Sequence, residues 1–447
     1  MFLQRLTIEN VRAIEHLDLS FHHAPDDPES EVSDRDPALK EAQASVETRQ
    51  WTWLLGQNGC GKSTVLRSVA LLLAGSDAVS ELIGDVDSWV RRGQKRARLL
   101  GDLVTAKGEE RHIEMEIRRG DGVRDVYARN TETLDLLDAA IEHADRNYFT
   151  VGYGGSRRVA GSHETSQGPS ASPYRSLRAQ SVATLFSTAA VLNSLEAWAM
   201  DLDYRQKGSR ETIRQALRGL LPGVEFYTID KKKRQLIFDT PDGRIPFDQL
   251  SDGYQNAASW AGDLLFRLTE AFPQHKDPFT ARGLVLVDEI DLHLHPVWKR
   301  QLVDFLSEKL PNMQIVATTH SAVTVHQAGP GELFTLRRDT PEAPPTLHAY
   351  PGDPSTLLLH QLLMSPAFGL TTMDSRPVEA LKEEYRALKS QKRRTKAHQE
   401  ELEELRERLA DVPEWSALTD RERRQQALLE TIHAELSAGD GAGPVTA

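Results

Sequence analysis

One cysteine, Cys60, stands in a chain of 447 residues, so no disulfide can close within it, and a lone thiol fits a reducing cytoplasm. No apolar run reaches the roughly 18 residues that a membrane-crossing helix needs, so no membrane partner is expected. The opening stretch MFLQRLTIENVRAIEHLDLSF alternates like a strand and lacks the basic-then-apolar layout of a signal peptide. Positive charge is in short supply: Lys and Arg total 54 against 66 Asp and Glu, a net charge of -12. That excludes a surface covered in basic groups while leaving room for local basic patches. Internal repeats are missing, and so are sustained heptads, which excludes a repeat array and a long coiled-coil arm. What remains is 39% hydrophobic and 27% charged, the composition of an ordinary globular protein with length for two or three domain-sized units.

Along the chain, residues 1–21 read as one or two strands. Residues 24–49 (APDDPESEVSDRDPALKEAQASVETR) turn acidic and Pro-rich with few large apolar residues, the pattern of a flexible surface insertion spanning about 23–50. Trp51–Leu55 is a short apolar strand, and Val65–Ala74 has helical spacing. Arg111–Arg118 alternates, Gly152–Gly168 is a Gly/Ser-rich loop carrying YGGSRR, and 183–221 look helical. Glu225–Phe247 reads as strands around the turn Pro241-Asp242-Gly243. Ser251–Ala271 is helical, Gly283–Val287 an apolar strand, Val297–Leu310 a helix and Gln314–Thr318 another strand. From Val378 to Leu409 the chain is dense in Glu, Lys, Arg and Leu. A second helix is expected over about Asp420–Leu436, then a disordered tail.

Chemistry enters at Gly56-Gln57-Asn58-Gly59-Cys60-Gly61-Lys62-Ser63-Thr64, which fits the phosphate-loop pattern G-x-x-x-x-G-K-[ST] between a strand and a helix. Glycines let backbone N–H groups curl around phosphate oxygens, Lys62 neutralises phosphate charge and Ser63 offers a hydroxyl to Mg²⁺. The helix that follows points its N-terminus at the anion. Gly56, Asn58, Gly59, Gly61, Lys62, Ser63 and Thr64 are therefore candidate ATP-binding residues. The strand GLVLV ends in Asp288-Glu289, as a Walker B segment does: Asp288 would hold Mg²⁺ and Glu289 would polarise the attacking water. Leu250-Ser251-Asp252-Gly253-Tyr254-Gln255 opens a helix just upstream, and Ser251 could equally be a simple N-cap. His320 closes the strand QIVATT.

These motifs, in this order, resemble ABC-type ATPases of the RecF, SMC and OLD-like branch. The likeness is greatest to the AAA_21-type group that includes PtuA-like ATPase subunits of bacterial anti-phage systems. The residues that carry it are LTIENVRAIEHLDLSF, GQNGCGKST, LSDGY, LVDEIDLHLHP and TTHS, with LLMSPAFGL more weakly. The resemblance implies an α/β P-loop ABC-ATPase head, a mixed sheet with helices plus a helical signature lobe, and a C-terminal helical arm. The corresponding segments are 1–165 and 276–370 for lobe I, 166–275 for the signature lobe and 371–447 for a C-terminal helical hairpin and disordered tail. It further implies that Ser251 and Gly253 cap the γ-phosphate bound to a second copy, so that ATP and Mg²⁺ are sandwiched in a homodimer. Glu289, Lys62 and His320 become the catalytic set, and Ser63 and Asp288 the metal ligands.

Two departures from the pattern stand out. The aspartate that usually follows Walker B is replaced by His295, and no glutamine can be placed after the third strand, although the Tyr153–Arg158 loop could serve that region. His293, His295, Asp291 and His320 also offer a zinc alternative, but without a cysteine partner. Basic runs at Arg91–Arg98, Lys231–Arg234 and Lys389–Lys396 read as solvated faces or as contacts to a DNA backbone. From residue 339 on, the only aspartates before the helical arm are Asp339, Asp353 and Asp374, too few for a nuclease centre. The expectation is thus an ATPase regulating a separate nuclease effector in anti-phage defence. The alternatives are a RecF-like DNA-clamping ATPase and a transport ATPase.

Overall fold

Hydrophobic alternation decides the first sheet. Phe2–Val11 (β1) and Ile14–Ser20 (β2) pair antiparallel across a two-residue turn, where Asn10 and Arg12 take left-handed φ of 54° and 52°. Arg96–Val104 (β4) and Glu110–Arg118 (β5) complete a four-stranded antiparallel sheet in the order β2-β1-β4-β5. The computed structural model describes residues 2–21, 49–104, 109–143, 148–159, 174–205, 209–221, 223–272, 278–390, 395–410 and 412. The expected acidic insertion falls almost wholly outside them. Its two ends lie together: the Arg49 amide donates to the Phe21 carbonyl at 2.9 Å, and the buried Arg49 guanidinium donates to the carbonyls of Ser20 and Gly331.

The second sheet is mixed. Trp51–Gly56 (β3), Tyr148–Tyr153 (β6), Arg282–Val287 (β12), Met313–Thr319 (β13) and Leu333–Arg337 (β14) run parallel, and Thr346–Ala349 (β15) adds an antiparallel edge, in the order β15-β14-β3-β13-β12-β6. Parallel strands covered on both faces read as continuous apolar runs, which is why β12 and β13 are buried along almost their whole length. Side chains alternate between two cores. Leu284, Leu286, Leu54 and Val316 face the core shared with β1, β2, β4, β5 and the helix Lys62–Leu72. Val285, Val287, Trp53 and Ala317 face the other core, filled by the helices Leu195–Arg205, Asp252–Ala271 and Pro296–Lys309. The phosphate-loop helix is therefore buried on nearly every side between two sheets. Gln314 ties them: its side-chain amide accepts from the Leu3 amide and donates to the Leu3 carbonyl, both at 2.8 Å.

The α/β fold with a mixed sheet and C-terminal helices is as expected. Details differ. Residues 152 and 153, read as loop, are the buried end of β6, because Tyr153 and Gly152 pack under β12 rather than meeting solvent. Residues 183–221 are not one helical stretch; Val191–Leu192 (β8) pairs with Arg158–Val159 (β7) between helices. The strands over 225–247 are Glu225–Asp230 (β9), Gln235–Thr240 (β10) and Gly243–Pro246 (β11), an antiparallel meander whose second turn is Pro241-Asp242.

Two compact units partition the chain, Met1–Gly369 and Leu370–Ala447. In the second, the helices Arg376–Ser390 and Lys396–Ala410 pack on one another, so the hairpin forms inside the stretch read as one long helix. The helix expected over 420–436 and the tail lie outside the described residues.

Candidate functional site

Strand β3 ends at Gly56 and the helix begins at Lys62, leaving five residues to curl between them. Gly56 is obligatory there: a Cβ would sit 2.4 Å from the Leu336 carbonyl oxygen of β14. Gly59 and Gly61 take φ of 80° and 100°, the left-handed region that a side chain resists. The Cys60 thiol donates to the Gln57 carbonyl at 2.6 Å, and the buried Lys62 ammonium donates to the carbonyls of Gly56 (2.7 Å) and Gln57 (3.1 Å). Burial pushes the Lys62 ammonium below its usual range, while Cys60, Asp288 and Glu289 pull the other way. Ser63 is half-buried at the first turn and Thr64 is buried. Asn58 is exposed in the loop.

Asp288 and Glu289 leave the tip of β12. Thr318 of β13 holds both: its hydroxyl donates to the Asp288 carboxylate at 2.6 Å and accepts from the Glu289 amide at 2.8 Å. The Asp288 amide donates to the Tyr153 carbonyl at 2.7 Å. Glu289 adopts φ 49°, unusual for a residue with a side chain and of the kind that clusters at functional sites. The guanidinium of Arg157 donates to the carbonyls of Asp288 (2.9 Å) and Glu289 (2.7 Å). Burial lowers the pKa of Arg157 to about 10, with Asp288, Asp291 and Glu289 opposing, so it stays charged at neutral pH.

His320 ends β13 and faces the same hollow, an open cavity of about 320 Å³ lined by Glu289, Asp291, His293, Lys299 and Ser321. Burial and the nearby Lys62 charge lower its pKa, so it is neutral at pH 7. Asp291, buried, accepts from the hydroxyls of Thr319 (2.8 Å) and Thr324 (2.7 Å) and from Lys299 (3.1 Å). Burial raises the Asp291 pKa, but those hydrogen bonds and the Lys299 charge outweigh it and hold the carboxyl below its usual range.

Lys62, Asp288, Glu289 and His320 are thus brought within electrostatic reach of one another. Ser251 and Gly253 lie at the start of another helix, beside the loop that carries His293. Ser251 is exposed at the N-cap of the helix Asp252–Ala271, with no capping bond from its side chain. Gly253 lies against the His293 carbonyl, 3.3 Å from where its Cβ would stand, and Tyr254 packs on Trp298 with ring centroids 4.9 Å apart. His295 accepts from the Val297 amide and so caps the next helix. Among the described residues no three His, Cys, Asp or Glu side chains converge as a metal cluster.

The sequence does not single out Thr318, offers Asp291 only as a zinc ligand, and leaves Arg157 within the Tyr153–Arg158 loop without a role of its own. The available signal is the run Thr318-Thr319, two buried hydroxyls that follow the apolar stretch Ile315–Ala317.

Comparison with known proteins bears on this geometry. Residues 132–325 match the family described as AAA domain, putative AbiEii toxin, Type IV TA system. That stretch, less than half of the chain, resembles this AAA_21 family. The matched stretch holds the signature, Walker B and His320, and the phosphate loop lies ahead of it. The Septu protein PtuA of Bacillus mycoides is 24% identical over 361 residues, 80% of this chain and 46% of that protein. A retron Ec83 probable ATPase of Escherichia coli is 32% identical over 126 residues, 28% of this chain and 23% of that protein. The chain therefore spans about half, or less, of the length of these relatives. An SMC head domain from Thermotoga maritima has a TM-score of 0.40 at 14% identity, covering 78% of this chain and 99% of that one. The resemblance to ABC-like ATPases drawn from the motifs is upheld.

The site has the donors a nucleotide with Mg²⁺ requires. A glycine cradle with no space for a side chain at Gly56, an ammonium at Lys62, a hydroxyl at Ser63 and a carboxylate at Asp288 are the groups that hold phosphate and a hard cation. Lys62, Ser63 and the loop amides would hold the phosphates, and Ser63 with Asp288 the metal.

Proposed function

We propose that the protein binds ATP with Mg²⁺ on the loop Gly56–Thr64 and hydrolyses it between two copies arranged head to tail. Closure would then control a separate nuclease effector in anti-phage defence. The observation that supports the reading is the placement of the motif residues. Lys62, Asp288, Glu289 and His320 lie within electrostatic reach of one another, while Ser251 stands exposed at a helix start with no capping bond from its side chain. An exposed Ser251 is available to phosphate held by a second copy, as a two-copy sandwich needs. Bound ATP supplies the scissile phosphoanhydride. Lys62 offsets phosphate charge, neutral His320 is placed to donate or accept a hydrogen bond at the phosphate end, and Glu289 is the carboxylate available to orient and deprotonate water.

The names of the relatives support the defence setting, since one is a Septu protein and another a retron ATPase. The basic runs lend less support to DNA clamping. Within the first, Arg91 pairs with Glu15, Arg96 with Glu116, and Arg98 with Glu9 and Glu114. In the second, Lys231 pairs with Asp203. Such pairs leave less positive charge for a phosphate backbone.

The test is Glu289→Gln with ATP and Mg²⁺. It is expected to bind ATP, to lose hydrolysis by about 10²-fold or more, and to run as a larger species by size-exclusion with light scattering. No added association over the nucleotide-free protein would remove the sandwich. DNA cleavage by the purified chain that survives Lys62→Ala would overturn the separate-effector reading. Salt-sensitive, ATP-dependent duplex binding by the isolated chain would favour the clamping alternative.

A further inference from the structure

The helix Asp252–Ala271, which begins at Ser251, reaches the backbone of Asp288 and Glu289 through two parallel struts one turn apart. At position 260, the Trp260 indole lies under the Arg157 guanidinium, 5.6 Å from its ring centroid, and Arg157 in turn donates to the carbonyls of both Asp288 and Glu289. At position 263, the fully buried Asp263 accepts from the Tyr153 hydroxyl at 3.1 Å, and the Tyr153 carbonyl accepts from the Asp288 amide at 2.7 Å. Asp263 is itself held from two other sides, by Arg267 at 2.6 Å and by the amide and side chain of Asn193 at 2.8 and 2.7 Å. Tyr153 and Trp260 also meet ring to ring, with centroids 5.6 Å apart.

We infer that Arg157 is a positioning residue that fixes Glu289 for hydrolysis and is itself set by the signature helix. The physical argument starts from Glu289. Its φ of 49° is a conformation that a residue with a side chain holds only when its surroundings over-determine it. Thr318 fixes its amide from one side, and Arg157 grips the two carbonyls around it from the other. A planar guanidinium with several N–H groups can serve two acceptors while resting its face on an indole, which an ammonium or an amide cannot do equally well. Gly154 makes the approach feasible: a Cβ there would meet the Thr184 carbonyl at 2.1 Å, whereas one at Gly155 would make only ordinary contact with the Glu289 carboxyl at 3.9 Å. Because Trp260 and Asp263 lie on the signature helix, a second copy engaging Ser251 and Gly253 would bear on the helix that sets this chain's own Asp288 and Glu289. The proposal rests on the ATPase reading above.

The experiment compares wild type with Arg157→Gln, Arg157→Lys and, as a milder probe of the second strut, Tyr153→Phe. Backbone amide exchange over residues 287–292 is measured in the nucleotide-free protein, and kcat and KM for ATP are measured with Mg²⁺. Arg157→Gln is expected to raise exchange of that segment at least tenfold, with exchange in β1, β4 and β5 unchanged, and to lower kcat at least tenfold while KM moves less than threefold. Arg157→Lys is expected to recover part of both. Wild-type exchange and kcat in Arg157→Gln would overturn the inference, as would a parallel rise in exchange throughout the protein, which marks general loosening. Wild type that binds ATP but never turns it over would overturn the hydrolysis reading instead, while the exchange result would still decide whether Arg157 holds the segment.

Discussion

At the scale of single residues, the site is built from buried groups that answer one another. Asp291 illustrates the electrostatics. Its carboxyl is held below the usual range, so it contributes stability that is present above the unfolded value of about 3.9 and is lost as pH falls through the lower folded value. Asp291→Asn should therefore be less stable than wild type by about 1–3 kcal/mol at pH 7, with the difference shrinking below about pH 4. Urea unfolding at pH 7 and at pH 3 checks both; an equal loss at the two pH values would contradict the assignment. His320 titrates in the opposite sense to a salt-bridged histidine. Its pKa is lowered, so it is neutral at pH 7 and gains a proton only on acidification. Activity limited by neutral His320 should fall only once pH drops below the ordinary histidine range, and His320→Ala should flatten that limb of the kcat profile.

At the scale of elements, the phosphate loop depends on a neighbouring strand as much as on its own glycines. Gly56→Ala forces a methyl onto the Leu336 carbonyl of β14, so either the loop or the β3–β14 pairing must shift. A cost of about 1–3 kcal/mol is expected, together with loss of ATP binding by equilibrium dialysis; retention of both would show that the strand can yield. The signature helix makes a separate prediction. Ser251→Arg places bulk and charge on an exposed helix start without disturbing Lys62 or Asp288, so ATP binding should persist while turnover falls by at least 10²-fold. Equal loss of both would count against Ser251 acting on a second copy.

At the scale of the whole molecule, the chain leaves the four-stranded sheet after Phe21 and returns at Arg49, where the two ends are hydrogen-bonded. Replacing residues 23–47 with a short Gly-Ser linker should therefore shift Tm by only a few degrees, since loop length changes closure entropy slowly. Differential scanning calorimetry measures this, and a loss of more than about 10 °C would mean that the segment carries packing of its own. Both core clusters lie wholly within residues 1–369, so truncation at 369 should leave a folded nucleotide binder.

The motifs at Gly56–Thr64, Leu250–Gln255, Asp288-Glu289 and His320 were legible from sequence because each is local: a few residues in fixed spacing define a turn, a helix start or a strand end. The α/β class was legible for the same reason, since apolar runs and helical periods are short-range signals. Tertiary structure alone decided which side chains hold those motifs. Thr318 reaches Asp288 because β13 lies beside β12, and Arg157 reaches Glu289 because β6 lies on the other side of β12; no spacing along the chain encodes either neighbour. The same holds for Tyr153, read as loop from its glycine neighbours, which is buried because the sheet closes over it. Sequence named the motif residues, and the sheet order supplied the neighbours that hold them.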